Sequence, residues 1–120
     1  MNINRCILIG RLTADPECRF TTNEIPVCRF TIAITRRKKE EADFIAIVAW
    51  RGLAKICAEY LKKGKQVAIE GRLQVRSYEK DGQKRYMTEI IADSMQMLGK
   101  KSDNTPDPDE SEKGDDFDDV

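Results

Sequence analysis

The sequence predicts an all-β domain with one short helix, its five strands closed into a Greek-key barrel, followed by a disordered acidic tail. Three observations carry that expectation. Several stretches alternate apolar and polar residues with a period of two, as half-buried strands do. Gly10 and Gly71 fall inside such stretches, where a barrel strand bends sharply. A single stretch with helical periodicity interrupts the strand series between the third and fourth strands.

Residues 3–12, INRCILIGRL, are β-rich and apolar on both faces apart from Arg5 and Arg11, so this strand is expected to be central or covered by a second subunit. Asp15-Pro16 marks a turn, and Glu17 to Phe20 continues the strand beyond the bend. After a loop from Thr21 to Pro26, the second strand, Val27 to Thr35, points Cys28, Phe30, Ile32 and Ile34 inward and Arg29, Thr31 and Thr35 outward. Arg36 to Glu41 is a hairpin tip with four consecutive cations. In the third strand, Asp43 to Trp50, Ile45 and Ile47 take the inner face, and Phe44 and Trp50 share the outer one.

Leu53, Ile56, Cys57, Tyr60 and Leu61 then fall at i, i+3, i+4, i+7 and i+8, one face of an amphipathic helix that should plug the end of the barrel. Lys62 and Lys63 suit its C-terminal dipole, and Gly64 a left-handed cap. The fourth strand runs from about Lys65 to Tyr78. Its parity puts Val67, Ile69, Leu73 and Val75 inside and Arg72, Arg76 and Tyr78 outside. Asp81-Gly82 signals a tight hairpin. The fifth strand, Lys84 to about Leu98, places Tyr86, Thr88, Ile90 and Ala92 on one parity. Five antiparallel strands in this order, with a helix between the third and fourth, fit the OB-fold barrel. The domain spans residues 1–100 and the tail residues 101–120.

The zero net charge conceals a split. Residues 1–101 hold 20 Lys and Arg against 12 Asp and Glu, a net of +8, whereas residues 102–120 hold one Lys against nine acids, a net of −8. A basic body suits a polyanion; the tail competes for that surface or recruits a basic partner. There is no histidine, and no CxxC pair among the four cysteines, so no zinc site, cofactor or common acid–base chemistry is expected. Cys6, Cys28 and Cys57 sit in apolar patterns and read as buried free thiols. No run of about 18 apolar residues suggests a membrane span, and Arg5 and Arg11 interrupt any leader-like stretch near Met1, so a cytoplasmic protein is expected rather than a membrane one.

Two neighbouring strands thus carry rings and guanidinium groups on one outer face. Bases stack on rings and phosphates pair with cations, so the mixture suits an unpaired nucleic-acid strand. The stacking candidates are Phe44, Trp50 and Tyr78. The phosphate candidates are Arg5, Arg36, Arg37, Lys38, Arg72 and Arg76. The competing readings are rings packed in a core or a subunit contact, an RNA-binding module, and charges that are merely solvated.

Three segments carry a more specific signal: NRCILIGRLTADPECRF, FIAIVAWRGLAKICAEYLKKGKQVAIEGRLQVRSY and RYMTEIIADSMQMLG. Together they span nearly all of residues 1–99, and in this combination the chain resembles the bacterial single-stranded DNA-binding proteins. The resemblance implies an OB-fold that assembles as a homotetramer. It implies sequence-independent coating of single-stranded DNA during replication, recombination and repair, with no enzymatic activity. The family's stacking positions fall on Phe44, Trp50 and Tyr78. Many relatives carry another ring in the hairpin between the second and third strands, where this chain has the cations Arg36 to Lys39. Family tails recruit replication and repair proteins through an acidic cluster ending in Phe. Here the end reads Asp115-Asp116-Phe117-Asp118-Asp119-Val120, with Phe117 not terminal, and the usual Gly- or Gln-rich linker is missing.

Overall fold

Period-two alternation builds six strands and one helix in the computed structural model, which describes residues 1–37 and 40–99. In chain order these are β1 (Cys6–Leu12), β2 (Glu17–Phe20), β3 (Pro26–Thr35), β4 (Ala42–Trp50), α1 (Arg51–Tyr60), β5 (Gln66–Lys80) and β6 (Gln83–Leu98). The tail expected at 101–120 lies outside the described residues.

The strands hydrogen-bond in the order β1-β5-β6-β4-β3-β2, and β1 pairs a second time, with β3. That second pairing closes the barrel of an OB-fold. β1 runs against β5 from Cys6↔Gly71 to Arg11↔Gln66, then against β3 at Arg11↔Ala33 and Leu12↔Ile32. Gly10 makes the crossover possible, because a Cβ there would stand 2.7 Å from the Ala33 carbonyl oxygen.

Two sequence expectations are corrected here. Glu17–Phe20 does not extend the first strand; it is a separate edge strand antiparallel to β3, with Cys18 opposite Cys28. The sheet is also not wholly antiparallel. β4 and β6 run parallel through Ala46↔Glu89 and Val48↔Ile91, as they must when β1 is antiparallel to both β3 and β5 and each of these is antiparallel to its next strand.

The core gathers the inward residues of every barrel strand: Leu12, Phe30, Ile32, Ile47, Val67, Ile69 and Ile90 are buried together. Each fully buried Ile contributes about 1.5–3 kcal/mol by leaving water. Helix α1 covers one end. Its buried line is Ala54 and Cys57, continued by Leu61 just past the helix; Leu53 is half-buried, while Ile56 and Tyr60 are exposed. The inner stripe is therefore rotated from the one the spacing suggests, because small Ala54 lets the helix approach the core closely. Leu61 closes the helix with its N–H on the Cys57 carbonyl, and Gly64, at φ +88°, serves the turn into β5 rather than the helix cap. The Asp15 carboxylate accepts from the Lys63 N–H at 2.8 Å and fastens that turn to the β1–β2 connection.

β5 keeps its predicted parity throughout, and the register shift at Glu70/Gly71 falls on β6, where Asp93 is skipped between Ser94, opposite Glu70, and Ala92, opposite Gly71. Beyond it, β5 and β6 leave the barrel as one long ribbon, joined at Asp81 and Gly82, both with positive φ. Leu73 and Val75, expected in the core, are exposed on this ribbon, since no barrel strand covers them there. Asn4 edges the ribbon, its side chain donating to the Leu73 carbonyl and accepting from the Leu73 N–H at 2.8 Å each.

The cysteines also depart from expectation. Cys18 and Cys28, neighbours across β2 and β3, form a disulfide. The register that brings them together is set by the β2 turn and is not visible in sequence spacing. Cys6 and Cys57 are free, and burial pushes the Cys57 thiol up to about 11 from its ordinary 9.0.

Candidate nucleic-acid interface

Strand parity and register define one continuous outer face across β5, β6, β4 and β3. Phe44, Ala46, Val48 and Trp50 point outward from β4. Beside them lie Val27, Arg29, Thr31 and Ala33 of β3, registered as Val27↔Trp50, Arg29↔Val48, Thr31↔Ala46 and Ala33↔Phe44. On the other side, Ile91 and Glu89 of β6 stand next to Val48 and Ala46, and β5 adds Arg72, Gln74, Arg76 and Tyr78. Val27, Val48 and Ile91 pack into a small apolar floor distinct from the main core.

The three rings stand on this face. Phe44 is 67% exposed, Trp50 37% and Tyr78 39%, so each offers ring surface to a ligand. Sealing in a core is excluded for the chain by itself. Arg76 lies over the Tyr78 ring, its guanidinium carbon 5.4 Å from the ring centroid, a cation–π contact of about 0.5–1 kcal/mol. Between β3 and the β5–β6 ribbon runs a cleft of about 410 Å³, bordered by Arg29, Thr31, Ala46, Arg76 and Glu89.

The predicted cations divide by position. Arg76 and Arg72 lie on the ring-bearing face; Arg72 Nη1 pairs with Asp93 at 3.0 Å, and both partners are exposed. Arg5 pairs with Glu70 at the β1 side of β5, separated from β4 by β5 and β6. Arg36 sits at the base of the β3–β4 hairpin, bonded to Asp43 through Nη2 at 2.7 Å and Nε at 3.1 Å, and to Glu41 through Nη1 at 3.1 Å. Its hydrogen bonds to Asp43 raise the Arg36 pKa and hold the Asp43 carboxyl below its ordinary range. Arg36 thus fastens the hairpin. Arg37 is exposed beside it. Lys38 and the tail residues Asp115, Asp116, Phe117, Asp118 and Asp119 lie outside the described residues.

Two further residues of this face, Arg29 and Glu89, are not picked out by the sequence pattern. Arg29 was placed on the outer face but not connected to the rings. Glu89 was not singled out, although it is the buried acid of this face, 2% exposed. Its Oε2 accepts from Arg29 Nη1 at 2.6 Å and from Arg76 Nε and Nη2 at 3.3 and 3.2 Å. A carboxylate directly before the apolar run Ile90-Ile91-Ala92 is the available signal, since an acid buried there needs a cationic partner.

Among the described residues, no helix is long and apolar enough to cross a membrane. Comparison with known proteins agrees with the geometry. The model of the single-strand binding protein family matches residues 3–98. The chain is 48% identical over 102 residues to a single-stranded DNA-binding protein of Bacillus cereus, covering 80% of this chain and 60% of the relative. It is 50% identical over 108 residues to single-stranded DNA-binding protein 3 of Clostridium acetobutylicum, covering 85% and 75%. With a single-stranded DNA-binding protein of Caldanaerobacter subterraneus it shares 42% identity over 125 residues, 97% of this chain and 83% of that one. The chain therefore spans about three fifths of the Bacillus relative's length and more of the other two. On the match over nearly the whole barrel, the chain belongs to the single-strand binding protein family.

Proposed function

We propose that this protein binds single-stranded DNA without sequence preference and protects it during replication, recombination and repair, as a binder rather than an enzyme. The observation that carries the reading is the shared outward face of Phe44, Trp50 and Tyr78 beside Arg72 and Arg76. Stacking contributes about 1–3 kcal/mol per base, and every base has a π-face, so the contact need not discriminate sequence. Arginines add a salt-dependent term by displacing counterions from the strand. Arg37, exposed beside Arg36, extends the cationic track, and Lys38, next in sequence, joins Arg5 and Arg36 as a further phosphate contact in this reading.

The working unit in this reading is a homotetramer. Its support is the exposed apolar outer side of β1, Ile7 and Ile9, beside Ala68 of β5. Residues 1–100 form the binding domain and 101–120 an acidic tail that competes with DNA and recruits replication and repair proteins through Asp115 to Asp119. The protein acts in the cytoplasm, on the nucleoid, where its ligand is.

The test is a mobility-shift titration with single-stranded poly-dT, the matched duplex and the matched RNA, with mass by light scattering. Tight binding of poly-dT, weak binding of duplex and a tetrameric mass are expected. Preference for duplex or RNA contradicts the reading. Removing residues 102–120 should preserve or strengthen poly-dT binding, because a charge of −8 leaves with them.

A further inference from the structure

Glu89 is an unfavourable residue for a face that meets a polyanion. It is the one charged side chain buried among the described residues, and it lies mid-face, registered with Ala46 on one side and Gln74 on the other. A phosphate entering the cleft would meet a carboxylate that has no room to turn away. Core packing does not demand an acid here, since Val48 and Ile91, outward neighbours on the same strands, are covered as plain hydrophobes.

What the carboxylate does is hold two arginines from opposite borders of the cleft. One oxygen, Oε2, takes both Arg29 of β3 and Arg76 of β5. Arg76 is thereby kept against the Met87 sulfur, 3.4 Å from Nη2, and over the Tyr78 ring. Two guanidinium groups and one carboxylate leave the trio itself a net charge of +1, while Asp15 and Glu17, the latter registered opposite Arg29, line the same cleft. Both arginines stay partly exposed, with side chains 42% and 38% accessible, so each can still present an edge to a ligand.

We infer that Glu89 is a positioning residue that fixes Arg29 and Arg76 on the binding face while cancelling one of their charges, so that binding depends less on salt than two free arginines would make it. The inference rests on the reading of this face as a site for single-stranded DNA. It assigns Arg29 to that site and makes the central trio count as one cation. The strand's phosphates then run along the flanks, and stacking on the rings supplies a larger share of the attraction.

The test is the slope of log affinity against log salt for poly-dT, with Glu89→Gln compared to the full native chain. Glutamine keeps the shape and an accepting oxygen but removes the charge. The expected result is tighter binding at low salt and a slope steeper by about 0.7, one additional phosphate on a single strand. An unchanged or shallower slope in a variant with native circular dichroism overturns the inference, including the case where only the melting temperature falls, which marks a purely structural carboxylate. If Glu89→Gln does not fold, Arg29→Gln decides: its slope should be shallower by about 0.7, and an unchanged slope overturns the inference. Failure of the native protein to bind poly-dT at any salt is a different result; it removes the proposed function and this inference with it.

Discussion

Gly71 of β5 and Ile91 of β6 approach so closely that a Cβ on Gly71 would stand 2.0 Å from the Ile91 carbonyl oxygen. This contact marks where the ribbon leaves the barrel. Before it, β5 buries Val67 and Ile69; after it, β5 carries Arg72, Arg76 and Tyr78 onto the ring-bearing face. The placement of one side of the candidate site thus depends on the missing side chain of one residue.

Gly71→Ala should accordingly destabilise the fold by at least about 2 kcal/mol, as overpacking against backbone does. Gly52→Ala is the control: nothing lies within 4 Å of its Cβ position and it sits in α1, so its stability should hold or rise slightly. Thermal unfolding of the two variants measures the difference. Equal melting temperatures contradict the close approach.

Trp50→Ala and Phe44→Ala should leave the fold intact, because both rings stand on the exposed face. Each should weaken poly-dT binding about 5- to 150-fold at fixed salt, the loss of roughly one stacked base. Fluorescence anisotropy of labelled oligonucleotide reads the change.

The Cys18–Cys28 disulfide closes a loop of sequence separation 10 and ties the edge strand β2 to the barrel. Its reduction by a dithiol should cost about 3 kcal/mol of stability through the added freedom of the unfolded chain. Poly-dT affinity should change little, since Cys28 points to the core side of β3, opposite the rings. Urea unfolding with and without reductant, paired with a binding titration, checks both statements.

Cys57 gives a pH prediction. Burial raises its thiol pKa from 9.0 to about 11 in the folded protein, so the folded state retains a proton that the unfolded state loses. Its contribution to stability is complete below pH 9 and declines as pH rises from 9 toward 11. Cys57→Ala should flatten that decline in urea midpoints measured across the range.

Much of this was legible in the chain because period-two patterning survives wherever a strand has one wet and one dry face. β3 and β4 show it plainly, and the outward rings Phe44 and Trp50 follow from their even spacing. Tyr78 was also placed correctly, although Leu73 and Val75, on the same strand, were not. Parity tells which side chains share a face but not whether another strand covers that face, and beyond Gly71 none does. The Cys18–Cys28 bond and the Arg29–Glu89–Arg76 trio escaped for another reason. Both depend on the register between strands, which turn geometry and pairing set and local pattern does not reveal.

The most direct measurement of the central claim is Trp50 emission during titration with poly-dT at two salt concentrations. Stacking on an exposed ring predicts saturable quenching of the same final depth at both concentrations, with weaker affinity at the higher one. Binding detected by anisotropy with no change in Trp50 emission would contradict it, because the strand would then lie away from the face that carries the rings.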